Sequence, residues 1–213
     1  MGLVTLIAGV AAIKGAAKVV KNIQDKNSVE GIIERSNATY KLIANANLMA
    51  VFEKMFYITD ESGVKKYKIK TDNIRQRRPK SAIYDMQGNE LARIETELIH
   101  AKGTFEPNTY IHPIYLHGER ISSAVPIRVT SLDYDLGFDG LRYITIILKS
   151  SFEVKNREGK TISRARRSLQ YYDHYVLEYW DKKDEAIALI SVMLHEITMV
   201  KKSDYASQYS IWD

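Results

Sequence analysis

The chain has 213 residues, 45% of them apolar, enough for one domain with a sizeable core and an N-terminal appendage. Lys and Arg number 31 against 26 Asp and Glu, a net +5 that gives mild attraction to anionic surfaces and no more. The absence of cysteine excludes disulfides and thiolate metal sites, and without a GxSxG, HExxH or P-loop motif a hydrolase reading has no nucleophile.

Met1 to Ile13 holds no charge, and Lys14, Lys18 and Lys21 follow at helical spacing. At 100° per residue those lysines fall on the side of Leu3, Ile7 and Val10, so the segment reads as a helix apolar all round at first and cationic afterwards. Its uncharged part is about 20 Å long at 1.5 Å per residue, short of the roughly 30 Å of a bilayer core. The lysines follow the apolar stretch, the reverse of a secretory signal, and Leu6 stands where a myristoylation motif wants Ser or Thr. Leu3, Leu6, Ile7, Val10, Ile13, Lys14, Lys18 and Lys21 are the candidates for insertion into one leaflet, or for packing on the barrel or on another copy of the chain.

After the polar stretch Gln24 to Ser28, residues Val29 to Met49 read as a helix followed by an extended entry into a sheet. From Val51 to Trp180 the text is strand-like, in runs bounded by Gly, Asp, Asn and Pro, and all four prolines, 79, 107, 113 and 126, are expected at turns or strand ends. One motif recurs with identical spacing: Ile58-Asp60-Gly63, Ile83-Asp85-Gly88 and Val154-Asn156-Gly159. Asp or Asn opens a type I turn by bonding its backbone, and Gly closes it at the positive φ of a bulge, so each copy predicts a hairpin. A near-copy, Tyr179-Asp181-Asp184, leads instead into an apolar helical run.

That run, Asp181 to Lys202, carries helix signals at both ends: Asp181 or Asp184 as cap, Glu185 in the first turn, Lys201 and Lys202 in the last. Between Ala186 and Leu194 only Ser191 is polar, so no face is made for water and the helix has to be enclosed, most economically by a closed barrel of strands.

The array Ile83-Tyr84-Asp85 through Gly88-Asn89-Glu90-Leu91-Ala92-Arg93-Ile94, with Tyr175-Val176-Leu177-Glu178-Tyr179-Trp180-Asp181 and Asp184 to Ile197 later, resembles the tubby C-terminal-like superfamily. Within it the chain looks similar to the LURP-one-related branch and its small bacterial members, over roughly Phe52 to Val200. The resemblance implies a mainly β fold: a closed antiparallel barrel of about twelve strands around a buried, apolar C-terminal helix. Tubby proteins proper bind phosphoinositides and phospholipid scramblases are related, but no local motif here aligns with the phosphoinositide-binding residues, so none is carried over. The organisation expected is an N-terminal helical extension over 1–50, a barrel over 51–202 with its central helix at 184–200, and a tail over 203–213.

The five histidines, 100, 112, 117, 174 and 195, show no metal-ligand spacing within a helix. His195, in the enclosed helix, reads as a core histidine bonded to a carboxylate or carbonyl, and Glu178 and Glu196 as structural. Asp133, Asp135 and Asp139, with Gly137 and Gly140, lack the third alternating ligand and distant Glu of an EF-hand and read as a solvated turn. No catalytic, cofactor or metal site is expected. The informative surface is basic: one cluster of Lys65, Lys66, Lys68, Lys70, Arg75, Arg77, Arg78 and Lys80, and another of Lys155, Arg157, Lys160, Arg164, Arg166 and Arg167. Alternation in the strand turns Tyr67 and Ile69 inward and the lysines outward. Both clusters lack a recognition helix and a stacking platform of interleaved aromatics, which argues against nucleic acid, sequence-specific binding above all. The expectation is a non-enzymatic, cytoplasmic protein peripheral to a membrane, binding anionic phospholipid, with a scaffold or homo-oligomer built through the N-terminal helix as the alternative.

Overall fold

The computed structural model describes residues 21, 25–45, 54–72, 78–99, 109–128, 132–146, 151–168 and 174–209, with backbone alone at 54 and 199–209. A short helix, α1 (Val29–Glu34), precedes thirteen strands. They are β1 (Tyr40–Asn45), β2 (Lys54–Thr59), β3 (Lys65–Thr71), β4 (Ser81–Asp85), β5 (Glu90–Ile94), β6 (Glu97–Ile99), β7 (Thr109–Leu116), β8 (Glu119–Pro126), β9 (Tyr134–Asp135), β10 (Arg142–Ile146), β11 (Ser151–Lys155), β12 (Thr161–Arg167) and β13 (His174–Tyr179). A 3₁₀ turn at Lys182–Asp184 leads into the long helix α2 (Glu185–Tyr209).

The strands form an antiparallel meander whose ends meet: β1 pairs with β13 from Tyr40↔Tyr179 to Asn45↔His174. On the far side β5 pairs with β7, and β6 continues the line of β5 along that same strand, Glu97 opposite Ile111. Setting aside β6, twelve strands therefore close the ring. Closure gives each of the twelve staves a neighbour on both sides, although β8 meets β9 only at Val125 and Pro126.

The three repeated motifs are hairpins of the expected kind. Asp60 N donates to Val64 O and Gly63 N to Asp60 O, both at 3.0 Å, and Asn156 and Lys160 repeat the first bond and Gly159 and Asn156 the second. Gly63, Gly88 and Gly159 take φ of 83, 93 and 79°, and the ladder shifts by a bulge beside each. At the fourth copy Asp184 N makes the same bond to Asp181 O, 3.0 Å, and the Asp181 side chain accepts from Lys183 N. With Asp184 in the glycine's place the chain does not enter the left-handed region there, and Glu185, right-handed at φ −59°, continues it as helix. Of the two candidate caps, Asp181 is the one used.

Every residue of α2 from Ala188 to Thr198 is buried, and the helix packs on β4 and β5 as well as on β11, β12 and β13, strands from opposite sides of the ring. Its neighbours are the inward residues of the staves, among them Ile58, Ile69, Ile83, Ile94, Ile114, Tyr143, Phe152 and Leu177. The barrel is thus filled by its own helix, as the all-round apolar run requires.

Three placements differ in detail from the reading of the sequence. The first stave, β1, starts at Tyr40, inside the stretch assigned to an extension, and is the extended entry expected after Val29. The central helix continues past 200 to Tyr209, into the stretch assigned to a tail. Pro113 lies inside β7, not at an end; its carbonyl accepts from Glu95 N at 3.1 Å, so its missing N–H faces the interruption between β5 and β6 and not β8. Residues 1–20, with the candidates Leu3, Leu6, Ile7, Val10, Ile13, Lys14 and Lys18, lie outside the described residues, and Lys21 is helical and exposed.

Candidate functional site

The outer face of β2, β3 and β4 carries the first basic cluster. Ile69 is buried in the core and Tyr67 packs against it, so Lys66, Lys68 and Lys70 point outward as alternation requires. Register places Tyr57 and Tyr84 on either side of Lys68, and Met55 and Ala82 on either side of Lys70. Lys65 Nζ sits 4.0 Å from the Tyr57 ring centroid, a cation–π contact. Lys66 pairs with Asp60 at 3.2 Å and Lys80 with Glu95 at 3.3 Å, whereas Lys68 and Lys70 have no carboxylate partner among the described residues. Arg78 is exposed, and Arg75 and Arg77 lie outside the described residues.

The expected absence of interleaved aromatics is corrected here. Tyr57, Lys68 and Tyr84 are far apart in the chain, and only strand pairing makes them a row; cross-strand neighbours on one face lie about 5 Å apart. The cations of this face are therefore set among tyrosines.

The second cluster is divided. Arg164 and Arg166 both turn to Glu178, which is fully buried beneath α1: Arg164 Nε and Nη2 lie 2.7 and 3.1 Å from its oxygens, Arg166 Nε and Nη2 2.6 and 2.7 Å. Ser36 Oγ donates to the same carboxylate. Burial opposes the charge of Glu178, but the donors Arg164, Arg166 and Ser36 outweigh it and hold the carboxyl below its ordinary range. Two of the six candidate cations are thus committed to a structural carboxylate. Lys155 pairs with Glu153 at 3.3 Å, Arg167 is half-buried, and Arg157 and Lys160 stand exposed on the β11–β12 turn. The two clusters are not brought together into one site; β2–β4 and β11–β12 are separated in the ring by β1 and β13.

Inside the barrel His195 meets two hydroxyls: Tyr143 Oη lies 2.7 Å from Nδ1, with Tyr175 Oη 3.5 Å from Nε2. Burial pushes the Tyr143 hydroxyl well above its usual range, and Tyr175, buried and beside Glu196, is raised as well. These phenols stay protonated, so the cluster holds the helix to the wall. In the acidic turn Asp133 Oδ1 accepts from Thr145 N and Asp135 Oδ1 from Gly137 N, each at 2.8 Å, the chemistry of a satisfied turn. Among the described residues no three His, Asp or Glu side chains could hold a metal ion together, and no helix is long and apolar enough to cross a membrane.

No family model matches the chain, and neither a curated protein nor a solved structure matches it.

Proposed function

We propose that the protein is a non-enzymatic barrel, peripheral to a membrane in the cytoplasm, that binds anionic phospholipid surfaces through the outer face of β2–β4. The same reading takes it as a tubby-like barrel of the LURP-one-related kind, on the array Ile83–Ile94 and the segment Tyr175–Ile197. One observation carries the choice of face: Lys68 and Lys70 point outward beside Tyr57, Tyr84 and Met55 with no carboxylate among the described residues to neutralise them. Amphipathic tyrosines beside lysines suit the boundary between headgroup and acyl chain. Each lysine contributes about 1 kcal/mol near an anionic leaflet, a few kcal/mol for the face, which is weak by itself. The apolar and cationic sequence of residues 1–21 supplies the second element that stable attachment needs.

Cosedimentation of the full chain with neutral and phosphatidylserine-containing vesicles, at low and high salt, tests the proposal. Binding to the anionic vesicles that salt weakens, and that Lys68→Glu with Lys70→Glu reduces, is the expected result. A protein left in the supernatant at low salt ends the lipid reading.

A further inference from the structure

Two imidazoles are enclosed in the barrel interior: His195 on α2, 2% exposed, and His112 on β7, fully buried. A continuous run of buried rings joins them. His112 meets Tyr134 edge-on at 5.4 Å between centroids, Tyr134 meets Tyr143 at 6.2 Å, and Tyr143 Oη reaches His195 Nδ1 at 2.7 Å. Thr96 Oγ1 lies 3.3 Å from His112 Nδ1, and the rings of Phe152 and Tyr175 flank His195 at 5.2 and 5.5 Å. Helix and wall are thus held together around two titratable groups that have no part in the basic face of β2–β4.

A neutral imidazole suits this setting and an imidazolium does not. Hydroxyls of tyrosine and threonine bond the ring nitrogens, but neutral dipoles do not replace the water shell that a full charge loses on burial. The inward residues of the strands packed on α2, such as Ile83, Ile94, Phe152, Ser163 and Ala165, carry no charge. The charged groups near His195 are Glu196, buried beside it on α2, and Arg167 at the end of β12; they act on Tyr175 in opposite directions and so offset. Glu185 stands at the other end of the helix, about 15 Å away along its axis. Facing His112 are the Thr96 hydroxyl, Ala124 on β8 and the Tyr134 ring.

We propose that His112 and His195 form an acid-sensitive lock on the central helix, neutral and closed near pH 7 and drawn open as they take up protons below about pH 6.5. Opening returns each imidazole to water, where it binds a proton that the closed form excludes. Closure is therefore fully favoured above about pH 6.5 and is lost as pH falls below it. Each imidazole raises the opening constant by up to about tenfold per pH unit, the two together by up to about a hundredfold. This window lies above that of Glu178 on the outer wall, whose carboxyl titrates below 4.5.

The chain has no cysteine, and Ser191, fully buried on α2, is replaced by a side chain of nearly the same shape in Ser191→Cys. The rate at which a thiol reagent labels this full-length chain, divided by the rate in concentrated urea at the same pH, reads the opening constant. Between about pH 7.5 and about pH 5.5 the ratio is expected to rise about tenfold or more. His117→Asn, at an exposed turn, should leave that rise intact. Adding His112→Gln or His195→Gln singly should halve the rise on a logarithmic scale, and adding both should abolish it. A ratio that stays constant with pH in Ser191→Cys overturns the proposal without recourse to any histidine variant. A full rise that persists in either single histidine variant assigns the acid response to other groups and overturns the lock as described.

Discussion

Arg166 Nε lies 2.6 Å from Glu178 Oε2, and the same guanidinium donates through Nη2 to Ile32 O at 3.1 Å, so one side chain joins β12, β13 and α1. The segment ahead of the first stave is thereby held to the barrel wall, where Val29 and Ile32 cover the fully buried Val176. Charged groups in that position are costly to separate, because removing one leaves the other desolvated.

Replacing Glu178 with Gln therefore destabilises the protein by about 2–3 kcal/mol, less than the full penalty of a buried pair because both arginines keep partial access to water. Urea unfolding monitored by circular dichroism reads the loss. Amide exchange should show it concentrated in α1 and β13.

The same carboxylate sets a pH dependence. Its folded pKa lies below the unfolded value of 4.5, so its contribution is present above that value and is lost as pH falls through the folded pKa. Urea midpoints measured between roughly pH 3 and pH 7 should fall on the acid side in the wild type, and less steeply in Glu178→Gln. Identical acid limbs in the two proteins would show that Glu178 is not the group responsible.

Tyr143→Phe removes the hydroxyl bonded to His195 Nδ1 while keeping the ring against Phe152, and should cost about 1–3 kcal/mol through the loss of that buried hydrogen bond. His195→Leu added to it should cost less than the sum of the separate changes, a coupling that a double-mutant cycle measures.

Gly63→Ala should cost about 1 kcal/mol, the penalty of a Cβ at φ +83° and nothing more, because no atom lies within 4 Å of the added carbon. At Gly137 the added carbon would fall 2.3 Å from Ser122 Oγ and 3.0 Å from Ser123 O as well as taking φ +72°, so Gly137→Ala should lower the melting temperature further. Thermal melts of the two variants side by side decide it.

Lys68→Glu with Lys70→Glu, the pair that should weaken vesicle binding, should leave unfolding free energy within about 0.5 kcal/mol, since both side chains point away from the core. A large loss of stability would mean that these lysines serve the sheet itself.

The hairpins were legible because their information is local. An Asp or Asn that bonds the turn and a Gly that accepts positive φ stand within four residues of each other, and the fourth copy shows the rule by exception, since Asp184 in the glycine's place leads to helix. The enclosed helix was legible for a similar reason: with only Ser191 interrupting Ala186 to Leu194, burial on all sides was its sole stable setting. The clusters of like charge could be counted in the sequence, but not which of their members were committed elsewhere. Arg164 and Arg166 stood among surface cations until pairing of β12 with β13 set them against Glu178. Tyr143 and His195 are 52 residues apart, and Tyr57, Lys68 and Tyr84 lie on three strands, so nothing in their spacing announced either grouping.

By itself, then, the sequence determined where the chain turns, which residues face inward along each strand and that the last helix must be surrounded, because turn chemistry, side-chain alternation and apolar periodicity act over a few residues. The tertiary structure alone decided that the ring closes through β1 and β13, that Glu178 takes two arginines out of the basic surface, and that Lys68 stands between Tyr57 and Tyr84. Those outcomes depend on register and closure, which join residues distant in the chain and appear only when the staves are laid side by side.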